Sequence, residues 1–268
     1  MGHAYTPGLK VARSTIVRKE RILPLKGNIL VKEGDAVDFD KVVAKTELPG
    51  NITAINIANR LNVLPSELHE FMMKKEGDPI AKDETIALSK GFFGLFKSII
   101  TSPIDGVVES ISNVTGQVML REHPIPVQVK AYIHGKITKI FPNEGVEVET
   151  PASFIQGIFG IGGETNGELV LGVDKPSDIL SPDKIKPEFK DKIVIGGALV
   201  TSDALKKAIA TGVKGVITGG FDDKDLRKFL GYELGVAITG AENLGVTLIL
   251  TEGFGTINMA DKTFELLK

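Results

Sequence analysis

The chain has 268 residues with a formal charge of -2, 42% hydrophobic and 25% charged residues, and no cysteine. These values suit a folded chain that buries roughly three quarters of its extended surface, more than one domain in size. They exclude disulfides, thiolate chemistry and cysteine-based metal sites, they give no concentrated basic charge for nucleic acid, and no apolar run approaches the ~18 to 20 residues of a membrane span.

The N-terminal Met1-Gly2-His3-Ala4-Tyr5-Thr6-Pro7-Gly8 has no basic segment followed by an apolar one, which points to a cytoplasmic protein. Gly2 and Thr6 stand at the spacing of a myristoylation pattern, a short match that arises by chance. The first strong signal is a phrase written twice. Lys32-Glu33-Gly34-Asp35-Ala36-Val37, continuing to Val43-Ala44, recurs as Lys75-Glu76-Gly77-Asp78-Pro79-Ile80, continuing to Ile86-Ala87. Each copy is a Gly-Asp turn feeding a short strand, so one supersecondary unit is used twice. Pro49-Gly50-Asn51-Ile52 follows the first copy, and Ser102-Pro103-Ile104-Asp105-Gly106-Val107-Val108 follows the second. A further echo links Gly106, Val108, Ile111 and Gly116 to Gly135, Ile137, Ile140 and Gly145.

These elements resemble the barrel-sandwich hybrid of biotinyl and lipoyl carrier domains, and the similar module in the C subunit of Rnf-type electron-transfer complexes. The resemblance covers roughly residues 13 to 150 and implies an all-β N-terminal domain. A carrier would present a modified lysine between the two halves. Here that segment reads Leu88-Ser89-Lys90-Gly91-Phe92-Phe93-Gly94-Leu95-Phe96-Lys97, without the flanking residues a ligase reads, so Lys90 and Lys97 are solvated flanks rather than attachment sites. Phe92, Phe93 and Phe96 have two readings, a contact surface for a protein partner or a cap on an open barrel end.

Between the repeats, residues 56 to 74 place Ile57, Leu61, Leu64, Leu68, Phe71 and Met72 at helical spacing, interrupted around Asn62 and Pro65. Two short helices packed on the β domain are expected. His69 in this insertion has no second ligand at a metal-binding spacing.

Residues 151 to 171 carry a glycine-dense run, Gln156-Gly157-Ile158-Phe159-Gly160-Ile161-Gly162-Gly163-Glu164-Thr165-Asn166-Gly167. Close glycines let backbone amides approach an anion, but neither the Walker lysine nor the dinucleotide order of glycines is present. A tight interdomain corner is expected, with Glu164 its one polar candidate. Residues 174 to 191, rich in proline and charge, read as an exposed linker.

Beyond it, strands at residues 192–195, 215–217, 236–238 and 247–250 alternate with helices at 202–210 and 222–230, the pattern of parallel crossovers. The resulting expectation is α+β and α/β in two domains. Residues 1–173 form an all-β barrel-sandwich hybrid with a helical insertion, residues 174–191 a linker, and residues 192–268 a small α/β domain with a mostly parallel sheet. The whole chain resembles a family of uncharacterised bacterial proteins with this order of domains, a resemblance that implies no activity. Residues 256–268 read as a final amphipathic helix that either docks on the sheet or precedes further chain.

Ligands gather at the carboxyl ends of parallel strands. Those ends supply Gly196 and Gly197, then Thr218, Gly219 and Gly220, then Thr239, Gly240 and Glu242, then Thr251, Glu252 and Gly253. Glycines, hydroxyls and two carboxylates suit a small polar or phosphorylated ligand, or Mg²⁺ held through Glu242 and Glu252; turn and capping chemistry is the other reason for the same residues. No catalytic motif, cofactor fingerprint or dedicated metal site is present. The reading is a non-enzymatic binding or scaffold protein with a protein partner and a small ligand. The alternative is a metal-dependent enzyme at the strand ends.

Overall fold

The computed structural model describes residues 9–89, 98–230 and 244–268. Its strands are β1 (Val11–Ile22), β2 (Asn28–Ile29), β3 (Ala36–Val37), β4 (Val42–Leu48), β5 (Ile52–Asn56), β6 (Pro79–Ile80), β7 (Thr85–Ser89), β8 (Ser98–Thr101), β9 (Gly106–Ile111) and β10 (Gln117–Glu122). They continue with β11 (Ile125–Lys130), β12 (Gly135–Phe141), β13 (Gly145–Ile155), β14 (Phe159–Ile161), β15 (Leu169–Leu171), β16 (Ile179–Leu180), β17 (Ile193–Ile195), β18 (Leu199–Val200), β19 (Gly215–Phe221) and β20 (Thr247–Phe254). The helices are α1 (Ile57–Leu61), α2 (Leu68–Phe71), α3 (Ser202–Thr211), α4 (Asp223–Leu230) and α5 (Asp261–Leu267). None of them is long and apolar enough to cross a membrane.

The repeated phrase folds the same way twice. The Asp35 carboxylate accepts the Lys32 N–H at 2.8 Å, and the Asp78 carboxylate accepts the Lys75 N–H at 2.7 Å, closing two equivalent side-chain turns. Gly34 and Gly77 hold φ of 94° and 88°, which a side chain would disfavour. The Gly34 N–H donates to the Ile137 carbonyl at 2.9 Å and the Gly77 N–H to the Val108 carbonyl at 2.8 Å. Asp35 and Asp78 then accept in return from the Ile137 and Val108 N–H groups. The Gly106/Gly135 echo is therefore the partner of the first repeat: Val37 stands opposite Gly135, and Ile80 opposite Gly106.

Each copy feeds its own core. Val43 and Ala44 in one copy, and Ile86 and Ala87 in the other, are fully buried. The first pair lies with β12 and β13, and Val43 packs there with Val37, Ile137, Val146 and Val148. The second packs with Val108, Val118, Leu120 and the helical insertion, where α1 and α2 bury Ile57, Leu61 and Leu68. Asn62 ends α1 at φ 53°, a left-handed position that asparagine tolerates.

The sheets of the chain are mostly antiparallel, and this corrects the expected fold class. Two four-stranded sheets, β1-β13-β12-β3 and β5-β10-β9-β6, the three-stranded β11-β4-β2 and the pair β7-β8 are antiparallel throughout. One sheet is mixed, in the order β14-β20-β19-β17-β15, with β14 antiparallel on its edge. It is not a separate parallel α/β domain within residues 192–268, because β14 and β15 come from before residue 174. The strand expected at residues 236–238 lies outside the described residues. β17, β19 and β20 do run parallel to one another, but apolar runs carry no information on distant partners, and the expectation went astray because β14 and β15 join this sheet from earlier in the chain.

Residues 174–191 are also not an exposed connector. Leu180, Ile185 and Phe189 are buried in the core formed by the mixed sheet and its helices. The stretch opens on a third turn of the same kind: Lys175-Pro176-Ser177-Asp178-Ile179-Leu180 shares with Lys32 to Val37 the lysine, the aspartate three residues on and the apolar pair after it. The Asp178 carboxylate accepts the Lys175 N–H at 3.1 Å, and its carbonyl accepts the Ala198 N–H at 2.8 Å, as Asp35 and Asp78 do with their partners. In this copy the short strand β16 pairs with β18 in parallel. Asp178→Ala is expected to cost about 1 kcal/mol, the usual loss for one such hydrogen bond, in line with Asp35→Ala and Asp78→Ala. Urea unfolding of the three variants checks it; a neutral Asp178→Ala would mean that the third turn does not hold its strand.

Candidate functional site

Of the four strand ends picked out by sequence, the three among the described residues come together, with their glycines and threonines buried and Glu252 half-buried. Thr218 and Thr251 are 0% and 3% exposed. The Thr218 hydroxyl donates to the Gly197 carbonyl at 3.2 Å, and the Thr251 hydroxyl donates to the Thr218 carbonyl at 3.3 Å. The glycines serve close backbone approach. A Cβ on Gly197 would sit 2.3 Å from the Asp178 carbonyl oxygen, one on Gly219 2.2 Å from that of Ile257, and one on Gly220 2.0 Å from that of Gly255. At Gly196 a Cβ would crowd Thr218, and at Gly253 it would meet Ile257.

The segment after β20 crosses these ends. Gly255 donates its N–H to Phe221, Ile257 to Ala198 and Met259 to Pro176. Glu252 accepts the Ala260 N–H at 3.0 Å and so caps the start of α5. Thr239, Gly240 and Glu242 lie outside the described residues, as do Phe92, Phe93 and Phe96. Among the described residues no three His, Asp or Glu side chains gather as a metal site would require.

Glu164, the polar candidate of the glycine-dense run, is engaged as well. Both of its oxygens accept from the Arg21 guanidinium at 2.9 Å, a bidentate pair between β1 and the turn after β14. Arg21 also donates through Nε to the Lys130 carbonyl at 2.8 Å and lies 5.0 Å from the centre of the Tyr132 ring. Burial, and after it the Glu164 charge, push the Tyr132 phenol above its ordinary value. This cluster joins the antiparallel sheets to the mixed one and leaves no free group for a ligand at Glu164.

A cleft of about 680 Å³ lies elsewhere, on the three-stranded sheet β11-β4-β2. Its floor follows from register. Asn28 stands opposite Lys45, and Lys45 opposite Gln128, so three polar side chains form one cross-strand row on the same face. Thr46, one residue along, points the other way and donates its hydroxyl to the Lys26 carbonyl at 2.9 Å. Gly27 lets β2 approach β4, since a Cβ there would be 2.3 Å from the Lys45 carbonyl oxygen. The Gly27 N–H donates to the Asn143 carbonyl at 2.7 Å, which brings the β12–β13 turn against the same edge.

Lys26, Glu47, Pro126, Val127 and Asn143 complete the lining. Among the described residues, the side chains of Lys26, Asn28, Lys45, Glu47, Gln128 and Asn143 have no hydrogen bond or ion pair within the chain. The cleft thus presents two ammonium groups, three amides and one carboxylate to whatever enters it. Sequence reading missed it because the row exists only once β4 is set in register between two strands distant in the chain.

The chain matches no protein-family model, no curated protein and no solved structure.

Proposed function

We propose that this protein is a non-enzymatic binding protein that takes a small polar ligand in the cleft over β2, β4 and β11 and also contacts a protein partner. The observation that carries the reading is the contrast between two polar sets. At the described strand ends the Thr218 and Thr251 hydroxyls and Glu252 are engaged by the chain's own backbone. In the cleft the polar side chains face open space without internal partners. A concave site with convergent polar groups is the default place for a ligand.

The enzyme alternative at the strand ends has less support, because Glu252 there is engaged by the Ala260 N–H.

Thermal unfolding of the full chain against a panel of small polar metabolites tests the proposal. A saturable rise in Tm with some member, lost in the double variant Asn28→Ala, Gln128→Ala, is the expected result. Conversion of a panel compound to product, with the double variant fully active, would replace the binding reading by the enzymatic one.

A further inference from the structure

We infer that the ligand of the cleft is a small hydroxylated organic anion of the sugar phosphate class, with its anionic group between Lys26 and Lys45. The inference rests on the reading of the cleft as a binding site and adds the chemistry of what fills it.

Charge gives the first part. The lining carries two lysines against one carboxylate. Neither ammonium is neutralised by an acidic side chain of the described chain. Lys130 and Arg21, which line a smaller neighbouring pocket, are by contrast paired, Lys130 with Asp40 at 2.9 Å and Arg21 with Glu164. Two unneutralised ammonium groups beside one concave surface favour an anion, and amide N–H groups of Asn28 and Gln128 flank Lys45 to complete its coordination.

The rest of the lining limits what the anion is attached to. Among the described residues no aromatic side chain lines the cleft, so a nucleobase or other flat ring finds none there to stack on. The apolar lining among the described residues is Pro126 and Val127, too little for an acyl chain. What remains is hydrogen-bonding surface. The Glu47 carboxylate accepts only, and two residues beyond Lys45 along β4, opposite Pro126, it suits a hydroxyl donor and repels a second anionic group. A body rich in hydroxyls with one anionic end meets all three conditions. The same oxyanion chemistry is offered by free phosphate, which lacks the hydroxyls that the amides and Glu47 would hold.

Calorimetric titration of the full chain with glucose 6-phosphate, glucose and inorganic phosphate separates the cases. Saturable binding of glucose 6-phosphate is expected, with glucose and phosphate each at least tenfold weaker. Lys45→Gln, an exposed position whose Tm should not move, is expected to weaken glucose 6-phosphate about tenfold and leave glucose unchanged. Equal binding of glucose and glucose 6-phosphate, or no effect of Lys45→Gln, would overturn the anion class while leaving the cleft as a polar site. Tightest binding by phosphate alone would overturn the hydroxylated body. No binding of any of the three overturns the inference; the cleft reading itself falls only if the wider metabolite panel also leaves Tm unmoved.

Discussion

Gly106→Ala is expected to destabilise the chain by on the order of 3–5 kcal/mol, the sum of a left-handed strain and a backbone clash. Gly106 holds φ of 156°, and a Cβ there would lie 1.9 Å from the Arg121 carbonyl oxygen and 2.8 Å from its carbon. Neither neighbour has room to yield. On one side Gly106 is paired with Ile80 in β6, and on the other with Glu122 in β10. Moving the backbone apart would open the sheet that covers Val108 and Leu120, both fully buried. Gly77 is the control. Its φ of 88° also disfavours a side chain, yet nothing lies within 4 Å of an added Cβ, so Gly77→Ala should cost only about 1–2 kcal/mol. Denaturant unfolding of both variants checks the order. Equal losses would mean that the β9–β10 register is not as described.

Phe264→Ala is expected to cost about 3–5 kcal/mol, as truncation of a fully buried aromatic side chain does when the site cannot collapse. Phe264 is 1% exposed and packs in the core of the mixed sheet with Phe221, Leu226 and Met259. Its helix, α5, is fixed at its start by Glu252 and by the chain segment crossing the strand ends. The variant therefore weakens the element that closes those ends, and the loss should appear as a lower midpoint in denaturant with an unchanged slope. A loss under about 1 kcal/mol, ordinary for a surface position, would show that α5 does not dock in this way.

The repeated turn was legible because its chemistry is local: a carboxylate reaching back three residues and a glycine at positive φ leave a fixed trace in sequence. Its third copy was not, since Pro176-Ser177 stands where the others have Glu-Gly, and a proline- and charge-rich stretch reads as a connector. The pairing of Val37 with Gly135 and of Ile80 with Gly106 was visible only as an unexplained echo. Sheet direction was legible in part: β17, β19 and β20 run parallel, as their alternation with helices implied, but nothing in the earlier apolar runs announced that β14 and β15 join them.

The glycines at the strand ends were found for a different reason from the one that places them. Close approach of backbone to backbone and close approach of backbone to an anion both call for a residue without Cβ, and sequence cannot separate the two. The structure gives Gly197, Gly219 and Gly220 carbonyl oxygens as neighbours. The cleft shows the converse. Asn28, Lys45 and Gln128 are ordinary polar residues one by one, and only the register of three strands makes them a row.

Amide and side-chain NH₂ resonances followed by NMR during titration with glucose 6-phosphate test the binding site most directly, because they report the cleft and the strand ends in one experiment. Saturable shifts confined to Asn28, Lys45, Gln128 and the turn at Asn143 are the expected result. Shifts at Gly197, Thr218 and Thr251 with the cleft unmoved would contradict it and return the ligand to the strand ends.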